Sequence, residues 1–311
     1  MIQKLRQRSL RALLVAWGVS LTAFAVVRLV PGDPVLTLLG DQATPEAVAQ
    51  LRRALHLEGP LPEQYLAFLT DILRGDLGAS IVTRQPVLTT IGQTLPVTLW
   101  LTGLGIATAI AIALPLGVLG GATASATYLR AFRVVSSVVI AFPVFVSGLV
   151  LLLVVGVQLR WLPVAGYAAF PDNLRYLALP ALAMGLPNGM IFARILQQSV
   201  RETSREEFVE AGIVWGLPRR ELVLNYLVRP SLAPTIGLMG YVVGASLASA
   251  VILETVFNLP GVGTFLVRGV LARDYPVVQG TLFVFGIIVV AVHFVADTVA
   301  AWIDPRVGSP L

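Results

Sequence analysis

The chain has no cysteine. That excludes disulfide frameworks, thiolate metal sites and cysteine nucleophiles, and it removes the usual clue to redox compartment. Lysine is nearly absent as well, with Lys4 alone. A nucleotide-binding P-loop needs a lysine at the phosphates after a glycine-rich turn, and nothing of the kind precedes Lys4. The two histidines, His56 and His293, are isolated from each other and from any metal-binding pattern, so each reads as structural. No Ser/His/Asp spacing suggests catalysis. Charge is scarce too, at 13% of residues against about 25% in soluble domains.

Apolar sequence fills the space that charge leaves. The chain is 56% hydrophobic and its mean hydropathy is +0.83. At 311 residues the length would suit two soluble domains, but this hydropathy points to one polytopic membrane domain over 1–311. Uncharged runs cover 12–27, 85–129, 134–159, 176–193, 230–253 and 275–296. A span needs about 20 mostly apolar residues. Six spans are therefore expected, at about 10–30, 96–120, 134–159, 176–193, 230–253 and 275–296. The fourth must run past Arg194, whose side chain either snorkels or faces the protein interior.

Arginine sets the expected orientation. Lys4, Arg6, Arg8 and Arg11 precede the first span, Arg130 and Arg133 follow the second, and Arg201, Arg205, Arg219, Arg220 and Arg229 follow the fourth. With six spans all of these fall on one side, which should be the cytoplasm, along with both termini. The net charge of +5 thus suits membrane orientation better than nucleic acid. The start of the chain also resembles a signal peptide, ending at Ala23-Phe24-Ala25. Its apolar run continues through Val30, which favours an uncleaved span.

Segment 31–95 is then external, with seven acidic residues against four arginines. Thr44-Pro45-Glu46 reads as a capped helix start leading to about Leu57. Pro62-Glu63 starts another helix, which Gly75 ends in a left-handed cap. Leu66, Leu69 and Leu73 share one face of it. This segment either braces the spans or offers a surface to an external protein.

Small residues at GxxxG spacing, Gly117 and Gly121 and then Gly240 and Gly244, let helices approach closely. Pro115, Pro143, Pro180 and Pro187 are candidates to bend spans.

The charged insert 201–229 is the main interruption in the apolar pattern. Ser204 and Glu207 have capping-box spacing. A helix from Arg205 to Trp215 would align Phe208, Gly212 and Trp215, with Val209 and Ile213 beside them. Gly216 would end it, and Pro218 would open a second helix. A short helix, apolar on one side and bearing two aromatics, fits a groove on a soluble partner. The alternative is a helix lying on the bilayer, disfavoured by Glu206, Glu207 and Glu210 facing anionic lipid.

At Glu210-Ala211-Gly212-Ile213-Val214-Trp215-Gly216 the insert resembles the EAA loop of binding-protein-dependent ABC importer permeases. Further segments resemble the dipeptide/oligopeptide/nickel branch of that family: Pro31-Gly32-Asp33-Pro34, Gly75-Asp76-Leu77-Gly78-x-Ser80, Glu254-Thr255-Val256-Phe257-x-x-Pro260-Gly261-x-Gly263, Arg273-Asp274-Tyr275-Pro276 and Asp304-Pro305-Arg306. The resemblance implies an all-α, six-span, type I ABC importer permease in the inner membrane, working by alternating access. It implies four kinds of partner: a second, homologous permease, two cytoplasmic ATPases, an external solute-binding protein and the bilayer. This chain would bind no cofactor and catalyse no reaction, with ATP and Mg on the ATPases. Glu210, Ala211, Gly212 and Gly216 would form the coupling contact, joined by the aromatics Phe208 and Trp215. Glu254, Pro260, Gly261, Gly263, Arg273 and Asp274 would lie near the external gate. The stretch 212–215 departs from the branch's usual basic, alanine-containing one, so the coupling partner is expected to differ too. Substrate is expected to be a peptide or a related small solute.

An ion-coupled carrier using Glu254 or Asp297 is the alternative, weakened by the lack of an inverted repeat and of an acid clearly at mid-membrane. A membrane-embedded enzyme comes third.

Overall fold

A computed structural model describes residues 2–29, 35, 43–54, 59–123 and 125–303. Among these, every extended element is a helix, and the lone β-bridge pairs Ala79 with Pro86. In chain order the helices are α1 (Ile2–Leu29), α2 (Pro45–Ala54), α3 (Leu61–Leu73), α4 (Val87–Ala122), α5 (Ala126–Ala141) and α6 (Val144–Leu151, prolonged by π-helical Leu152–Gln158). Then come α7 (Asn173–Thr203), α8 (Glu207–Val214), α9 (Arg229–Val256, entered through Arg219–Glu221 and π-helical Leu222–Val228), α10 (Val262–Leu271) and α11 (Tyr275–Ile303).

Among the described residues, five stretches are long and apolar enough to cross a membrane: Ser9–Leu29, Val87–Ala122, Asn173–Thr203, Leu222–Val256 and Tyr275–Val295. The expected third span is not straight. Its two arms, Ala126–Ala141 and Val144–Gln158, meet at 99°, and counting them as one span gives six. The break falls at Phe142-Pro143. Phe142 sits at φ −76°, ψ 125°, the extended geometry that a following proline favours. Pro180 and Pro187 lie inside the continuous α7 and Pro234 inside α9, so of the expected benders only Pro143 divides a helix.

The chain forms two compact units. The first comprises Met1–Val97 and Pro260–Phe294, the second Thr98–Leu259 and Val295–Leu311.

In the first unit α3 packs on α1. Ser20 and Tyr65 hydroxyls meet at 2.8 Å, and Phe24 lies edge-on to Tyr65. Arg28 stacks over Phe24 and donates from Nε to Gln64 Oε1 at 3.0 Å. The packed face of α3 is therefore Gln64–Tyr65–Phe68. The expected leucine face points elsewhere, since Leu66 and Leu73 are exposed. Gly75 ends the helix as its motif requires, at φ +77°. Val87, Ile91, Val262 and Val277 form this unit's core.

In the second unit Ala109, Ala113, Phe132, Phe192, Ala193 and Val242 join α4, α5, α7 and α9. The expected close approach of Gly117 and Gly121 occurs between α4 and α7. A methyl group added at Gly121 would sit 2.5 Å from Val200 Cβ, and one at Gly117 would sit 2.8 Å from Leu196 Cβ. Gly240 and Gly244 are buried in α9, where nearby Ser246 accepts a hydrogen bond from Asn188 Nδ2 at 3.2 Å.

Candidate functional site

The insert folds as a short helix held from one side. Glu206 precedes α8 in an extended conformation with no side-chain cap. The expected Ser204–Glu207 capping box does not form. Ser204 still belongs to the end of α7, where its hydroxyl donates to the Arg201 carbonyl at 2.8 Å. The helix is consequently Glu207–Val214 rather than Arg205–Trp215.

Its end matches the sequence. Gly216 N–H donates to Ile213 O at 3.0 Å, and Leu217 N–H donates to Gly212 O at 3.1 Å. With Gly216 at φ +72° this is the left-handed glycine cap with its paired bonds. The hydrophobic contact that accompanies such a cap falls on Gly212. A methyl group there would lie 3.1 Å from Leu217 Cδ1 and 3.0 Å from Leu222 Cδ1.

Val209 is the anchor. It is buried with Leu196 and Val200 of α7 and with Leu227, just before α9. Phe208 rests against Tyr226 at 6.5 Å between ring centres and stays 44% exposed. Val214 is 82% and Trp215 80% exposed, with Ile213 exposed beside them. The expected alignment of Phe208, Gly212 and Trp215 is thus divided. Gly212 is buried under leucines and Trp215 stands free. Glu210 is exposed on the outer side and Ala211 is half-buried. Val209, the residue that seats the helix, was named in the sequence only as a neighbour of that face.

The residues named for a gate fall in both units. Glu254 belongs to the second unit, wholly buried in α9, and accepts a hydrogen bond from Thr98 Oγ1 of α4 at 2.5 Å. The helix then ends at Asn258, at φ +49°, with Leu259 N–H bonded to the Glu254 carbonyl at 2.8 Å.

In the first unit, Gly261 caps the start of α10 at φ −97°, where any residue fits, and Gly263 is buried in that helix. Pro260 is exposed. Arg273 ends α10 at φ +52°, a left-handed position held by a non-glycine residue. Asp274 is 2% exposed and gathers four donors. Ser80 Oγ–H lies at 2.5 Å, Ile81 N–H at 3.2 Å, Val82 N–H at 3.4 Å and Val277 N–H at 3.5 Å. Ser80 Oγ in turn accepts from Thr83 N–H at 2.9 Å. Two sequence motifs are therefore one structure. Asp274 caps α11 and fixes the loop at Ser80, while Pro276 lies against Gly78. Thr98 and Ser80 are the partners that the sequence did not assign. Ser80 was visible within its motif, and Thr98 carried no signal.

Arg194 faces the protein. Its Nε donates to Ser136 Oγ at 2.8 Å, and its Nη2 donates to Ser137 Oγ at 2.6 Å and to the Arg133 carbonyl at 3.3 Å. His293 Nδ1 lies 2.9 Å from the Val289 carbonyl, in keeping with a structural role. Among the described residues no group of acids and histidines could hold a metal. Pro31–Pro34, His56 and Asp304–Arg306 lie outside the described residues.

Among the described residues, long helices with membrane-length apolar stretches define a multi-pass membrane protein. The match to known proteins is specific. Residues 113–309 fit the binding-protein-dependent transport system inner membrane component, and residues 1–102 fit its N-terminal companion. The chain belongs to that family, a permease family of the inner membrane. It is 31% identical to the di/tripeptide transport system permease protein of Pseudomonas aeruginosa, with 94% of each chain covered. It is 31% identical to the glutathione transport system permease protein of Pectobacterium atrosepticum, with 93% of each chain covered. The ion-coupled carrier finds no support among these relatives.

Proposed function

We propose that this chain is one of two membrane-spanning halves of an ATP-driven importer of short peptides. The observation that carries the reading is α8. Val209 fixes it to α7 and the entry of α9, while Trp215 and Val214 are left bare at the other end. Burying an exposed tryptophan and valine against water would stabilise a docked partner by several kcal/mol. Two cytoplasmic ATPases, which would hold ATP and Mg, are the partners that the family implies. Their closure would push α8 and, through Val209, tilt α7 and α9 between inward- and outward-open states.

The reading places Lys4–Arg11, Arg130 with Arg133 and the 201–229 insert on the cytoplasmic side, in keeping with the arginines. The 31–95 segment and the residues around Asp274 then face an external binding protein and a second, homologous permease completes the pore. Short peptides fit best as substrate, because one relative is named for di- and tripeptides and another for glutathione, itself a tripeptide.

The absence of cysteine makes the test clean. Trp215→Cys introduces a single thiol into the co-expressed complex, and a bifunctional reagent reports its neighbour. A cross-link to an ATPase subunit, altered in yield by ATP, is expected. An assembled complex in which Trp215→Cys cross-links to no ATPase would overturn the coupling role.

A further inference from the structure

We propose that the start of α5, together with Arg194 of α7, forms a binding site for the headgroup of an anionic phospholipid. The inference rests on the orientation above only for the leaflet involved. Arg130, Arg133 and Ser137 recur at steps of three and four, so they lie along one face of α5, and all three are exposed. Arg194 brings a third guanidinium to that face through Ser137 Oγ and the Arg133 carbonyl. Its three acceptors, Ser136 Oγ, Ser137 Oγ and the Arg133 carbonyl, are all neutral oxygens. These bonds orient the guanidinium without balancing its charge. The carboxylate of Glu202, two turns further along α7, accepts from Gln198 Nε2 at 3.0 Å.

Beside that face a row of α5 runs from Arg130 at steps of four through Val134 and Val138, both exposed. It is therefore polar at one end and apolar at the other. At 1.5 Å per residue, Arg130 to Val138 spans about 12 Å. That fits within half a bilayer's hydrocarbon thickness, roughly 15 Å. A phospholipid has this outline, with a phosphate at the arginines and an acyl chain along the valines. Arginine also presents paired donors to phosphate oxygens. Anionic rather than zwitterionic lipid follows from the uncompensated positive charge. Basic pockets between spanning helices bind such headgroups, with about 1 kcal/mol for each basic residue near the surface.

The test uses the whole complex in nanodiscs of roughly equal parts phosphatidylglycerol and phosphatidylcholine, with co-purified lipid counted by native mass spectrometry. Retained phosphatidylglycerol should exceed phosphatidylcholine. Arg130→Gln with Arg133→Gln should reduce that preference by about fivefold for each arginine removed. Both side chains are exposed, so the double variant should fold. Arg194→Gln is a second variant, which removes the charge and keeps donors for the two serines. Inorganic phosphate added in excess should leave lipid retention unchanged. Equal retention of both lipids, an undiminished preference in the double variant, or displacement by phosphate would each overturn the proposal. A Ser125→Cys reporter, labelled from one side at a time, tests the orientation separately from lipid preference.

Discussion

At Gly216 the backbone holds φ +72°, and no atom lies within 4 Å of where a Cβ would stand. Replacing this glycine therefore costs conformational energy rather than space, about 1–2 kcal/mol for an ordinary residue and less for asparagine. Gly216→Asn should keep ATP-driven peptide uptake in proteoliposomes close to the native rate. Gly216→Val and Gly216→Trp should abolish it while the complex still assembles, and native uptake by the assembled Trp variant would refute the role of the turn. Asp274 is the opposite case, a residue valued for what it accepts. Asp274→Ala would strand the Ser80 hydroxyl and the Ile81 and Val82 N–H groups. The loss should be about 3 kcal/mol or more, seen as a lower melting temperature of the chain in detergent. Ser80→Ala removes one of those bonds and should cost about 1–2 kcal/mol.

Among the elements, what the sequence revealed was local and what it concealed was relational. Span lengths, the caps at Gly75 and Gly216 and the close approach at Gly117 and Gly121 follow from composition, φ preference and side-chain size, all properties of the residues themselves. The direction in which α3 turns its leucines does not. Leu66, Leu69 and Leu73 do share a helical row, yet Tyr65 and Phe68 have the shape that fits Phe24. The prolines likewise look alike in sequence, and packing decides that Pro143 breaks a helix while Pro180 and Pro187 sit within one. Ser204 could cap α8 or close α7, and the carbonyl of Arg201 is the nearer partner. Of the candidate site, the glycine end of α8 was legible, while its start lies two residues later than expected and its expected face is divided. The Thr98–Glu254 and Ser80–Asp274 pairs were not legible, because residues 156 and 194 positions apart leave no periodic trace. Gly121→Val tests the element scale. The added side chain must displace Val200, a cost of about 1–3 kcal/mol, so the chain should melt earlier without a change in its orientation.

At the scale of the whole molecule, the proposed importer would draw its energy from ATPases on other chains. Relatives matched over 93–94% of their own length place the entire chain, spans and insert together, within one permease family. The second unit holds α8, the paired glycine contacts and the buried Glu254, so under the proposed coupling α8 and the helices it seats on belong to one unit. Geometry then sets a mechanical ratio. In the proposed coupling, buried Val209 would be the fulcrum and exposed Trp215 the free end of the arm. Six residues of helix separate them, about 9 Å. Under the proposed coupling, a displacement at the tryptophan would reach α7 through Val209, with Phe208 on Tyr226 and Gly212 under Leu222 seating the same helix. Inserting one residue between Val209 and Gly216 would lengthen the arm and turn its tip by about 100°. The stroke that a docked partner delivers to the spans would then be set by the length of one short helix, in the way that a crank's throw sets the travel of a piston.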